Sequence, residues 1–226
     1  MGITGYWEKG FSLLFDEGGC MDTKKNLIEK VLDLEWVMFQ KVENIDGKAS
    51  CQEDPKTFKI MRSSQFESWP KAVLESYLDD LNEANKKEIN LISEKYGRMM
   101  KSTSPSQYAK IEHLLQPLDS DNQKLIEKVV RIVLEWEEEL VKKYPYILKK
   151  GRPLYTSLDT PFVTSVETYL RGELSTYSKK TLQLHYEHLL NEKSQNINAS
   201  EITLEFMVRK YGYKSLAEAN EAMKKR

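Results

Sequence analysis

TKKNLIEKVLDLEWVMFQKVEN, residues 23–44, is the stretch on which the fold turns. Its apolar residues Leu27, Ile28, Val31, Leu32, Leu34, Trp36, Val37, Met38, Phe39 and Val42 follow helical spacing and show no strict alternation. Asp22 or Thr23 can cap the first amides, and Asp46-Gly47 supplies a stop turn. A long helix from about Thr23 to Asn44 is predicted, with one side made for burial.

Working outward, the same grammar repeats. A polar loop from Lys48 to Asp54 leads to Pro55 at the first helical position, and a second helix follows to about Ser68. Trp69-Pro70 breaks it. A third helical stretch covers Pro70 to Met100, with an interruption expected around Asn82–Lys86. Ser102-Thr103-Ser104-Pro105 opens a short helix to Leu115, and Gln116-Pro117-Leu118-Asp119-Ser120 punctuates the chain. Asn122 to Lys143 reads as another long amphipathic helix, with Leu125, Val129, Ile132, Val133, Trp136 and Leu140 on one side. After a loop with Gly151-Arg152-Pro153 come helices at about Pro161–Leu174, Lys179–Glu192, Ala199–Lys210 and Leu216–Lys225. The fold class is all-α and multi-helical.

Landmarks recur in one order. Leu34-Glu35-Trp36 returns as Leu134-Glu135-Trp136, and Gly47-Lys48 as Gly151-Arg152. Asp54 and Asp159 each precede a helix-opening proline, Pro55 or Pro161, and the helix that follows carries Arg62 or Arg171. Phe66–Trp69 is matched by Leu174–Tyr177, and Lys95–Gly97 by Lys210–Gly212. The expected organisation is a variable extension over residues 1–20, a first helical half over 21–116 and a second over 117–226. The two halves would pack as one compact domain with a pseudo-twofold relation. A ligand would find its natural place in the seam between them.

Composition limits the partners. The 226 residues carry 34 Lys and Arg against 35 Asp and Glu, a net charge of −1, with the two signs interleaved. That leaves no electrostatic grip for nucleic acid or an anionic membrane. Two cysteines, Cys20 and Cys51, fit a reducing compartment better than a disulfide scaffold. The apolar run Phe11–Phe15 is too short for a signal core and is flanked by Glu8, Asp16 and Glu17. No stretch approaches the roughly 20 apolar residues of a membrane span.

The strings Gly47-Lys48-Ala49-Ser50-Cys51-Gln52, Phe58–Phe66 (FKIMRSSQF) and Glu167–Leu174 (ETYLRGEL) carry a family resemblance. From about Met21 to the C-terminus the chain resembles the uncharacterised prokaryotic family DUF4125, domain of unknown function 4125. The resemblance implies a cytoplasmic microbial protein and supplies no activity, cofactor or site.

Function is therefore sought in polar residues that stand among apolar ones. Phe58, Arg62, Gln65 and Trp69 share one helical stripe, as do Phe162, Val166, Tyr169, Glu173 and Tyr177. Arg62 and Glu173 either pair with each other across the seam or converge on a polar ligand, an anion gripped by Arg62 or Arg171 in fork geometry. Glu35 has Val31, Leu32, Met38 and Phe39 as helical neighbours, whereas its counterpart Glu135 is surrounded by charge. A carboxylate on an apolar face is either a general acid or base, or a structural group answered by Arg62 or Lys48. Cys51 precedes a helix N-terminus, where amides favour a thiolate, and is otherwise a packed loop cysteine.

Glu35 and Cys51 are thus the catalytic candidates, and Asp54, Arg62, Gln65, Arg152, Asp159, Arg171 and Glu173 the ligand-binding ones. His185 and His188 share a helical face but bring no evident third ligand, so no metal site is expected. No phosphate loop or dinucleotide fingerprint occurs, the cofactor is left unknown, and no motif names a reaction. The expected function is binding of, or catalysis on, an anionic or zwitterionic metabolite in the seam. The alternative is a non-catalytic helical module for protein–protein interaction. A polar-lined pocket in the seam would favour the first, and mutual salt bridges filling it the second. The sequence leaves the oligomeric state open.

Overall fold

A computed structural model describes residues 18–43 and 47–225. Helix α1, Gly18–Gln40, is the long opening helix, and it begins earlier than the expected cap at Asp22 or Thr23. The rest of the expected extension, with the run Phe11–Phe15, lies outside the described residues, as does Asp46 of the expected turn. Helix α2, Pro55–Glu67, starts at the proline, and Asp54 caps it by accepting from the Thr57 amide. The expected third stretch is two helices, α3 at Lys71–Lys86 and α4 at Leu91–Thr103. Short α5, Pro105–Ile111, leads through a 3-10 turn to the second long helix, α6, Ser120–Lys143.

One turn of helix, α7 at Pro145–Leu148, was not foreseen. Helix α8 spans Val166–Leu174, α9 Lys179–Ser194, α10 Ala199–Lys210 and α11 Leu216–Lys224. Among the described residues there is no strand, only an isolated bridge between Thr160 and Val163. The fold is all-α.

Helix α8 departs from its expected start at Pro161. Ser165 caps it, with its hydroxyl accepting from the Thr168 amide, and Thr160-Pro161-Phe162-Val163 folds instead into a tight turn bonded in both directions. Proline suits the first position of a helix and the second of a β-turn equally, so Pro161 alone could not separate them. Phe162 consequently falls off the stripe assigned to it.

Burial follows the periodicity. Ile28, Val31, Leu32, Met38 and Phe39 of α1 and Leu125, Ile126, Val129, Val130 and Trp136 of α6 enter one continuous core with Phe66, Trp69, Leu74, Tyr77, Leu174 and Leu182. A smaller core joins Leu140 to Leu204, Val208 and Leu216. Helix α1 packs on α2, α3 and α4, and α6 on α8, α9 and α10. Between these groups α2 meets α10, α4 meets α8, and α3 meets α9. Gly172 permits the close approach of α8 to α4: a Cβ there would lie 2.9 Å from Cγ of Met99 and 3.0 Å from the Lys95 carbonyl oxygen.

Two turns share one geometry. Glu88 and Asn196 both take φ of 57°. The Ile89 amide donates to Ala84 and the Ile197 amide to Glu192. Asn90 and Asn198 then cap α4 and α10, and their amides donate to the carbonyls of Met38 and Trp136. These caps set Met38 opposite Trp136, so they do not follow the register suggested by the Leu-Glu-Trp echo.

Candidate functional site

Glu35, Arg62, Gln65 and Glu173 meet at the centre of the molecule, where α1, α2 and α8 converge. Arg62 grips Glu35 in fork geometry, with Nε to Oε2 at 2.8 Å and Nη2 to Oε1 at 2.5 Å. Its Nη1 donates to Gln65 Oε1 at 2.6 Å and to Glu173 Oε1 at 3.0 Å. Gln65 returns its own amide to Glu173 Oε1 at 2.9 Å. Lys95 of α4 donates to Glu173 Oε2 at 2.6 Å. Tyr77 donates to Glu35 at 2.7 Å and Tyr177 to Glu173 at 2.8 Å. Glu35 is 0% exposed, and Arg62, Lys95 and Glu173 are each under a tenth exposed.

Two carboxylates thus face two cations inside a low-dielectric shell, with phenols and an amide completing the bonds. Burial acts to raise the Glu173 carboxyl, but the Arg62 and Lys95 charges and the bonds from Lys95 and Gln65 hold it well below the usual carboxylate range. Burial also works against the Arg62 charge, and Glu173 and Glu35 overcome it, raising the guanidinium well above its ordinary value. Burial first, then the Glu35 charge, pushes the Tyr77 phenol far up, and burial with Glu173 does the same to Tyr177. Both phenols are therefore fixed donors over the physiological range. The ring of Phe66 lies under the Arg62 guanidinium, 4.7 Å from its centroid.

At its outer margin the cluster reaches Tyr169. Lys95 Nζ sits 3.7 Å from that ring's centroid and the guanidinium carbon of exposed Arg152 sits 4.7 Å from it. Arg152 also donates to the Thr164 carbonyl. Tyr96 lies close by, its phenol pushed up to about 12 by burial and then by the charge of Tyr169.

The other candidates take separate positions. Arg171 points away from the cluster and pairs with Glu127 and Glu167 on a half-open surface. Asp159 accepts from the Ser102 and Thr168 hydroxyls and the Ser165 amide. Those bonds overcome its burial and lower its pKa. Asp54 serves as the α2 cap. Cys51 is a free, exposed thiol in a 3-10 turn at Ser50–Glu53. The buried residue of that turn is Gln52, whose amide donates to Phe39 and Val42. Lys48 goes to Gln40, so Arg62 is the cation that answers Glu35. Lys95, Tyr77 and Tyr177 belong to the cluster without having been singled out as site residues.

His185 and His188 lie on one face of α9 with ring centroids 6.5 Å apart, and Trp69 packs beside His185 at 5.0 Å with its ring tilted. Nδ1 of His185 and Nε2 of His188 are buried without a hydrogen-bond partner. Burial, and then the neighbouring His188, pushes His185 down to about 3. Burial also pushes His188 down to about 4. Among the described residues no three of His, Cys, Asp and Glu come together to hold a metal ion, and no helix is long and apolar enough to cross a membrane.

A family model described as "Protein of unknown function (DUF4125)" matches residues 25–221. No curated protein and no solved structure matches the chain.

Proposed function

The chain belongs to the DUF4125 family, and from that premise we propose that it is a non-catalytic helical interaction module whose buried charges lock two helical halves together. One observation carries this reading. Arg62, Lys95, Glu35 and Glu173 spend their hydrogen bonds on one another and on Gln65, Tyr77 and Tyr177, so they are not presented to a ligand. Buried ion pairs add little net stability over a well-packed apolar core, but they reject arrangements that would strand a charge. Here they would select the register in which α2, α4 and α8 meet.

The two-halved organisation is part of the proposal, supported by the paired turns at Glu88 and Asn196 and the matching asparagine caps. So is a cytoplasmic setting without nucleic-acid partners, supported by two cysteines and a net charge of −1.

A second reading, a small anionic metabolite at the seam, is favoured by the outer margin. There Tyr169 has Lys95 and Arg152 against its ring, and Arg152 is exposed. A thermal-shift screen of the full chain against anionic and zwitterionic metabolites, nucleotides and metal ions separates the two. A ligand at a hundred times its Kd adds about 2.7 kcal/mol of stability, a readable rise in Tm. The module reading expects a flat screen. A hit that disappears in Arg152→Ala would overturn it in favour of the metabolite.

A further inference from the structure

Residues 153–166 form a closed surface loop. The Val166 amide donates to Pro153 at 2.8 Å, the Glu167 amide to Leu154 at 3.0 Å, and Arg152 Nη1 to the Thr164 carbonyl at 3.0 Å, so both ends are tied at one base. Its interior is fastened as firmly. Asp159 collects three donors, the Thr156 amide donates to Glu167, and the Thr156 and Thr168 hydroxyls bond at 2.9 Å. At the tip, Thr160 and Val163 exchange two backbone bonds around Pro161-Phe162.

This rigid frame holds apolar side chains out in water: Phe162 is 96% exposed, Leu158 56% and Val163 43%. Scattered exposed apolar residues are ordinary; three within six positions on a frame with fixed geometry are not. Lys149, Lys150 and Arg152 run along its base, exposed and in no ion pair among the described residues.

We infer that this loop is a docking knob that inserts Phe162 into an apolar pocket, rimmed by carboxylates, on a second protein. The inference rests on the interaction-module reading. A prefixed loop loses little conformational freedom on binding, an aromatic anchor seated in a desolvated pocket is a usual hot spot, and complementary charge at the rim speeds encounter and adds specificity. A second copy of this chain fits poorly as the partner. Two depressions on the described surface each carry two lysines against one glutamate, Lys30 and Lys71 against Glu75 and Lys41 and Lys48 against Glu43, so each keeps a net charge of the same sign as the knob's base. A lipid surface fits less well than a protein, because three cations fall short of the roughly four to eight that mark a lipid-binding cluster.

The test pans a display library of random 16-residue peptides on the full chain and measures each selected peptide against Phe162→Asp and against Lys149→Glu/Lys150→Glu. Circular dichroism and Tm verify that the variants fold, as substitution of a nearly fully exposed side chain should permit. The expected peptides combine a large apolar residue with flanking Asp or Glu, bind at least tenfold more weakly to Phe162→Asp, and weaken in the charge-reversed variant and in high salt. Peptides that bind Phe162→Asp as tightly would overturn the knob while leaving the module reading intact. A library that enriches nothing on the wild-type chain would overturn it too. Sedimentation with phosphatidylglycerol vesicles that is lost in Phe162→Asp would replace the protein pocket with a lipid surface and overturn it as well. A metabolite hit in the ligand screen that disappears in Arg152→Ala, by contrast, removes the module reading itself.

Discussion

Removing the Arg62 side chain would leave Glu35 buried with only the Tyr77 hydroxyl for company and Glu173 with Lys95 and two neutral donors. An uncompensated buried charge of this kind costs about 3–5 kcal/mol, so Arg62→Ala should lower the urea midpoint severely. Arg171→Ala breaks two ion pairs at a side chain that is 36% exposed, where solvent screens the charges, and should cost no more than about 2 kcal/mol. Equal losses in the two variants would mean that the central pair is no more desolvated than the surface one. Much of this site was legible in the sequence, because Arg62, Gln65 and Glu173 stand at helical spacing among aromatics and a polar group on such a face demands a partner. Lys95 was not. In Leu91-Ile92-Ser93-Glu94-Lys95-Tyr96 a lysine reads as one that lays its stem on the core and keeps its head in water. It becomes buried because Gly172 lets α8 come within van der Waals contact of its backbone, a fact of packing that no local pattern records.

Helix ends were read well where a side chain does the capping and poorly where two motifs share a residue. Pro55 and Asp54 open α2 as their spacing predicts, whereas Pro161 opens a turn and the cap falls to Ser165. The break between α3 and α4 lies a few residues beyond the expected Asn82–Lys86, at Glu88, an unusual residue for a left-handed position. Asn196 holds the same φ of 57° in the turn between α9 and α10, and asparagine is several-fold enriched there because its short side chain tolerates that conformation. Glu88 is exposed, with no side-chain hydrogen bond or ion pair to another described residue, so replacing it alters the backbone preference and little else. Glu88→Asn should therefore stabilise the protein by about 0.5–1 kcal/mol, measured as a rise in Tm. A fall in Tm would mean that the glutamate side chain contributes something the geometry does not account for.

At the scale of the whole molecule, the acid-sensitive groups are concentrated where α3 packs on α9 and α4 on α8. His185 and His188 project from α9 towards Trp69 and Ser68 at the end of α2, with Glu192 as the nearest carboxylate to His188 and Lys24 adding to the positive potential around it. Burial, the first cause for both, holds them neutral down to about 3 and 4, below the ordinary 6.5. The native state thus binds fewer protons than the unfolded chain once the pH drops below about 6.5, and stability falls from there until the folded pKa values are reached. For each histidine the loss between pH 7 and pH 5 is about 2 kcal/mol, giving about 4 kcal/mol for the pair. Glu173 adds its own loss lower down. Its carboxyl is held below the unfolded value of 4.5, so the stability it contributes is present above that pH and drains away below it. Because one continuous core draws on α1 to α4, α6 and α8 to α10, unfolding has no halfway stop there, and the loss should appear as one cooperative transition. Urea unfolding at pH 7 and pH 5 measures it, and His185→Phe should cut the difference by about half, to roughly 2 kcal/mol. A stability that stays level between those pH values would mean the histidines are open to water, and the account of α9 as the buried partner of α3 would have to be abandoned.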